Sequence, residues 1–168
     1  MYSRVSRSML RKQLLTERPV APNPQPEELD IAALATVFMT SEAADHPIEN
    51  VFDTRRGPGG SRWIAAALGE QVILLAFDTA QTIHRVTVEI EEQEVNRTQE
   101  LDLSVSCDGE QTYQELRRQE YTFSPPGTTF EREDWAVTAE PITHLQLRIK
   151  PDKGDKPCRA TLTTLAIQ

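Results

Sequence analysis

Only two cysteines occur in the 168 residues. Cys107 and Cys158 share no CxxC spacing, so the sequence encodes neither a disulfide framework nor a thiolate zinc site. Both are expected as reduced, partly buried thiols. Histidine is almost as sparse, with three residues. His46, His84 and His144 stand far apart, without the HExxH spacing that sets two imidazoles on one metal. No GxSxG elbow, GxxxxGK[ST] loop or GxGxxG turn is present, which removes the usual marks of serine hydrolysis and nucleotide cradling. With so few groups in a catalytic pattern, the expectation is a protein that is not an enzyme. No apolar run approaches the roughly 20 residues of a membrane-spanning helix, so no membrane span is expected.

The charge that is present is unevenly placed. Arg4, Arg7, Arg11, Lys12 and Arg18 against Glu17 give residues 1–18 a net +4, so the chain's formal −8 leaves −12 on residues 19–168. An acidic body of this kind argues against nucleic acid as a partner, because phosphate binding needs a positive face to displace counterions. The basic start lacks the apolar stretch of about 7 to 15 residues that a secretion signal carries, and the reading is cytoplasmic. Pro19, Pro22, Pro24 and Pro26 follow closely, a composition that favours an extended linker. Residues 1–28 are therefore expected as a basic leader, irregular or briefly helical, joined by a Pro-rich linker to one folded domain over residues 29–168.

Within that domain the periodicity is two almost throughout. Strands are expected at residues 31–39, 62–67, 71–77, 83–90 and 101–107, continued by 111–118 and 120–124, and at 130–137, 145–149 and 161–167. Residues 71–77, QVILLAF, form a continuous apolar run that predicts burial on both faces. Residues 83–90 alternate instead, with Arg85, Thr87 and Glu89 set to point at solvent opposite Val86, Val88 and Ile90. Asp108-Gly109 is a turn signal. Eight or nine short strands with little helix predict an all-β fold, an antiparallel β-sandwich or closed barrel.

The stretch HPIENVFDTRRGPGGSRWIAA, residues 46–66, carries the chemistry. Arg55, Arg56 and Arg62 around Gly57, Gly59 and Gly60 suit an anion, since guanidinium offers paired donors and glycine lets backbone N–H groups approach. A solvated surface loop fits the same composition. Trp63 opens an apolar strand and is expected in the core. Trp135, in EREDWAV, has charged neighbours and is expected at the surface, available to a ligand.

Several motifs then fall in one order: HPIENVFD, SRW before a strand, LLAFD, QTIHRVTVEI and LSVSCDGEQTYQEL. This series resembles the discoidin, or coagulation-factor type C, group of galactose-binding-like jelly rolls over residues 29–168. It is also similar to the amino-terminal domain of the eukaryotic single-strand-break repair scaffold, which shares the fold and binds protein. The resemblance implies a jelly-roll β-sandwich with a noncatalytic ligand site on its strand-end loops, for which His46, Arg55, Arg56 and Trp135 are the candidate contacts. The partner it implies is a glycan or, alternatively, a protein docked on the sandwich and tethered by the N-terminal segment; an oligomer is compatible with either. Calcium is the one cofactor the resemblance raises, through Asn50, Asp53 and Ser61. The last strand, TLTTLAIQ, has no acidic residue and Arg55 and Arg56 adjoin the would-be ligands, so no cofactor is expected.

Overall fold

A helical turn opens the part of the chain that the computed structural model describes, residues 28–53 and 55–168. The expected basic leader, apart from Glu28, lies outside the described residues. α1 (Ile31–Leu34) begins at Asp30, whose carboxylate accepts from the Ala33 N–H at 3.3 Å, and the backbone becomes extended at Ala35 to enter β1 (Ala35–Met39). The strand expected over residues 31–39 is thus a capped helical turn and five strand residues. Asp at an N-cap and alanines in the first turn favour helix there over alternation. A 3-10 turn follows at Ile48–Phe52, then β2 (Trp63–Ile64), β3 (Gln71–Glu91), β4 (Arg97–Ser106), β5 (Gln114–Phe123), β6 (Phe130–Lys150), β7 (Thr161–Leu162) and β8 (Thr164–Ile167).

The architecture depends on two strands of 21 residues each. Strands in globular domains seldom pass about 10 residues; β3 and β6 do so because each runs through both layers of a sandwich. They pair antiparallel, and their register shifts between Ala76 and Arg85, the kind of irregularity that bends a strand. The first half of β3 and the second half of β6 sit in the order β1-β3-β6-β4-β5. Past the bend, β8 pairs with β3 at Val86 to Glu89 while β6 continues on the other side. β2 and β7 form a separate antiparallel pair. Where the sequence suggested separate strands at 71–77 and 83–90, and at 130–137 and 145–149, the structure has one bent strand each time.

Apolar residues on the inner faces meet in rows across the strands. Ile73, Leu147 and Leu103 are register partners, as are Leu75, Leu145 and Val105, and all six are at most 2% exposed. Each fully buried side chain of this size contributes about 1.5–3 kcal/mol. Trp63, directly after Arg62, is wholly buried and donates its indole N–H to the Ser41 carbonyl at 3.1 Å.

The two halves of β3 reverse the burial read from the sequence. Residues 71–77 alternate, with Ile73, Leu75 and Phe77 buried and Val72, Leu74 and Ala76 half-buried. Residues 86–92, by contrast, are buried on both faces, Thr87, Glu89 and Glu91 included. The cause is the Gly-rich loop, which folds over the outer face of this half-strand. The Gly57 N–H donates to Glu89 Oε2 at 3.0 Å and the Gly59 N–H to Glu91 Oε2 at 2.9 Å. Thr164 Oγ1 donates to the same Glu89 oxygen at 2.9 Å, and Arg132 reaches Glu89 Oε1 at 3.0 Å. Gly57 and Gly59 have φ of +86° and +82°, values that L side chains adopt only with strain.

At the opposite end, the Asp108-Gly109 turn joins β4 to β5. Asp108 accepts from the Thr112 hydroxyl at 2.6 Å, the Thr112 N–H at 2.9 Å and the Ser106 hydroxyl at 2.8 Å. These bonds favour the charged form and hold its pKa at about 2, against 3.8 for a free side chain. A group with a lowered folded pKa stabilises the fold above its unfolded pKa, and the contribution is lost as pH falls through the folded value. Asp108 should therefore support the turn fully above about pH 4. Carboxyl-carbon NMR titration should find a midpoint near 2; a midpoint near 3.8 would show that the turn does not hold the carboxylate.

Glu89, 1% exposed, gives the sharper stability test. Glu89→Ala leaves the Gly57 N–H and the Thr164 hydroxyl without an acceptor and Arg132 without its buried counter-charge, for an expected loss of about 2–4 kcal/mol in urea unfolding. A loss under about 1 kcal/mol would mean that the loop packs without the carboxylate.

Candidate functional site

The register pairs place the end of β1, the start of β3, the end of β6 and the start of β4 at one end of the sandwich. The segments following β1, β2, β3 and β6 emerge there. Between them lies a cleft of about 520 Å³, within the range of small-molecule sites. Arg62, Arg97 and Arg159 supply its cations, His46 an imidazole, and Glu92 and Glu94 its carboxylates. Ile64, Leu68, Val95 and Pro157 supply apolar surface, and Leu68 is 60% exposed.

Some of these charges build the cleft. Arg97 is a buried brace: its side chain is 3% exposed, and Nη1 donates to the Arg159 carbonyl at 2.5 Å and the Pro151 carbonyl at 3.3 Å. Its Nε lies 3.4 Å from Glu92 Oε1, close enough for an ion pair but off the line of a hydrogen bond. Glu92 Oε1 also accepts from the Val95 N–H at 3.0 Å. Arg97 and Glu92 thus tie the segment after β3 to the segment after β6. Gln99 strengthens that tie by donating to the Thr161 carbonyl at 2.9 Å.

Other charges are available to a ligand. Arg62 donates from Nη1 to the Glu91 carbonyl at 3.1 Å. Arg159 is exposed, and its guanidinium has no partner among the described residues. Glu94 is also exposed, and His46 is half-buried at the rim. A smaller adjoining hollow of about 260 Å³ includes Asp152, whose carboxylate is occupied by the Thr98 and Lys156 N–H groups at 2.9 and 3.0 Å.

Of the four contacts expected from the sequence, only His46 lines the cleft. Arg56 is engaged elsewhere. It grips Glu28 with both carboxylate oxygens at 2.7 and 2.8 Å and donates to the Asp53 and Arg55 carbonyls. Arg55 is exposed on the loop, away from the cleft lining. Trp135, expected at the surface, is 5% exposed and packs on the inner face beside Val86. Its charged neighbours in sequence misled, because strand parity places Arg132 and Asp134 on the opposite face. Its indole N–H has no partner among the described residues.

Asn50, Asp53 and Ser61 do lie together, but as a clasp across the loop. The Ser61 hydroxyl and the Arg55 N–H both donate to the Asp53 carboxylate, and Asn50 Nδ2 donates to the Arg62 carbonyl at 2.8 Å. Calcium needs about six to eight oxygens. This set offers one carboxylate, already accepting two hydrogen bonds, with the Arg56 cation on its peptide oxygen; the residues do not fit the ion. Arg62, grouped in the sequence with Arg55 and Arg56 as suited to an anion, does line the cleft. Arg159, Glu92 and Glu94 were missed by sequence reasoning, since they carry no local motif.

No protein-family model matches the chain, and no curated protein matches it. Solved structures do. The paired family 32 carbohydrate-binding modules of Clostridium perfringens ZmpB, in complex with GalNAc, superpose with a TM-score of 0.61 at 14% identity over 83% of this chain. The match spans 34% of the ZmpB chain, so this protein covers about a third of its length. The family 32 module of AlyQ, in complex with 4,5-unsaturated mannuronic acid, gives 0.57 at 18% identity over 85% of this chain and 98% of that one. The C. perfringens NanJ module in complex with galactose gives 0.54 at 12% over 83% and 96%. The fold is that of these modules, a galactose-binding-like jelly roll.

The buried position of Trp135 can be tested apart from any ligand. With Trp63 and Trp135 both buried in this jelly roll, native emission should be blue-shifted and poorly quenched by acrylamide. Trp135→Phe should change stability by no more than about 1 kcal/mol, since the lost N–H makes no bond, whereas Trp135→Ala should cost about 3–5 kcal/mol. Strong quenching of one native tryptophan would return Trp135 to the surface.

Proposed function

We propose that the protein is a noncatalytic carbohydrate-binding module whose ligand lies in the cleft at the loop end of the jelly roll. The observation that carries this reading is the composition of the cleft: donors from His46, Arg62 and Arg159, an exposed carboxylate at Glu94, and apolar surface from Ile64, Leu68 and Val95. Sugar hydroxyls both donate and accept, so cations and carboxylates on one small surface can fix a ring's orientation. The apolar side chains suit the C–H faces of the same ring. No aromatic side chain lines the cleft among the described residues, so stacking contributes nothing there and binding rests more heavily on the polar contacts.

The ligands named for similar structures, GalNAc, galactose and an unsaturated mannuronic acid, support a sugar as the ligand class. The discoidin-like order of motifs in the sequence fits the same reading.

A glycan array probed with the full chain tests it. Specific signals should be lost on Arg159→Ala and weakened on His46→Ala, while Arg55→Ala, whose side chain is outside the cleft, should leave them unchanged. Loss on Arg55→Ala alone would move the site to the Gly-rich loop, and absence of all glycan signals would remove the reading. A protein partner docking on the sandwich faces would bind the Arg159→Ala and His46→Ala variants as well as the parent.

A further inference from the structure

We infer that the cleft selects an acidic sugar, its carboxylate or sulfate bound by Arg62 and Arg159. The inference rests on the carbohydrate-binding reading and specifies the ligand class of the same site. Its first ground is charge placement. Residues 19–168 carry a net −12, yet this one cleft gathers three arginines and a histidine against two glutamates. Arg97 and Glu92 neutralise one another within the cleft wall. The groups left to meet a ligand are Arg62 and Arg159, with His46 at the rim, against Glu94 alone.

The second ground is how those arginines are held. Arg62 is anchored through one nitrogen, Nη1, on the Glu91 carbonyl, which fixes the guanidinium and leaves its remaining N–H groups without partners among the described residues. Arg159 follows Cys158, whose sulfur lies 3.7 Å from Arg97 Nη1, and its own carbonyl accepts from that same nitrogen. The backbone that presents Arg159 is thus braced by a buried cation. Two guanidinium groups on fixed mounts form charge-assisted hydrogen bonds to an oxyanion that are roughly twice as strong as neutral ones.

The size of the cleft narrows the class. About 520 Å³ accepts one or two sugar rings. The acidic body beyond it opposes the extended phosphate contacts of a nucleic acid. A single carboxylate or sulfate on a sugar satisfies the local cations without that larger footprint.

The test uses the full chain in calorimetric titrations with matched, singly charged ligand pairs: galacturonic acid against its methyl ester, mannuronic acid against mannose, sialyllactose against lactose, and galactose 6-sulfate against galactose. Expected is at least tenfold tighter binding of the acidic member in one or more pairs. That preference should weaken with added salt and fall to less than threefold in Arg159→Gln, a substitution at an exposed side chain that leaves folding intact. Arg62→Gln should act in the same direction. Which pair responds separates carboxylate from sulfate. Equal binding of both members, or preference for the neutral one, overturns the charge inference and leaves the carbohydrate reading standing. Acid preference unchanged in both arginine variants places the anion outside this cleft and overturns the inference. Binding of no ligand in any pair overturns the inference and the carbohydrate reading together.

Discussion

Two carboxylates on the outer face of β3 capture the backbone of a glycine-rich loop, and the arrangement of the site follows from that contact. Glu89 and Glu91 receive the N–H groups of Gly57 and Gly59. A run of backbone N–H groups in a loop with positive-φ residues is a natural anion receptor. Here the anions it receives belong to the protein itself. This occupancy explains why the glycine tip of the most ligand-like stretch of the sequence is not part of the cleft: the Gly57 and Gly59 N–H groups are already taken, and Arg56 is committed to Glu28 and to nearby carbonyls.

Burying two carboxylates opposes folding unless each is well compensated. Glu89 has an ion pair with Arg132, the Thr164 hydroxyl and the Gly57 N–H. Glu91 has the Gly59 N–H and the side-chain amide of Gln93. The compensation comes from four segments: the glycine loop, the residues just after β3, the start of β6 and β8. None of Glu89's own contacts is local, so the position of the loop over β3 depends on β6 and β8 lying beside it. The apolar rows of the inner faces supply the main driving force for folding, and the carboxylates determine how the loop lies over the outside.

Much of the fold was legible because alternation is a local property. Val86, Val88 and Ile90 declare one face of a strand from their spacing alone, and Trp63 declares the start of β2 by its apolar company. The bend that makes one strand out of residues 71–91 was not legible, since exposed Asp78, Thr79 and Ala80 read as an ordinary break between strands. The parity of Glu89 was read correctly but its burial was not: the loop that covers it is 32 positions earlier in the chain. Trp135 failed for the opposite reason. Its charged sequence neighbours suggested water, while its strand face had placed it beside Val86. In the site, His46 stood out as one of three histidines, but Arg159 and Glu94 come together only through the Arg97 brace, which no spacing in the sequence encodes.

The capture of the loop also bears on specificity. Arg62 is the last residue before β2, and its Nη1 rests on the carbonyl of Glu91, the same residue whose carboxylate holds Gly59. One strand end therefore fixes both the loop and the arginine that enters the cleft. The strongly acidic body does not conflict with an acidic ligand there. At physiological ionic strength, exposed charges farther apart than about 8 Å are largely screened, so the distant carboxylates slow the approach of an anion more than they weaken its final contacts. Once a ring is seated, the groups within hydrogen-bond reach govern affinity. In this cleft those include two mounted guanidiniums and one exposed glutamate. On the proposed reading, the acidic exterior would act as a filter, discouraging polyanions that need a broad cationic face while admitting a sugar whose single charge can be met inside the cleft.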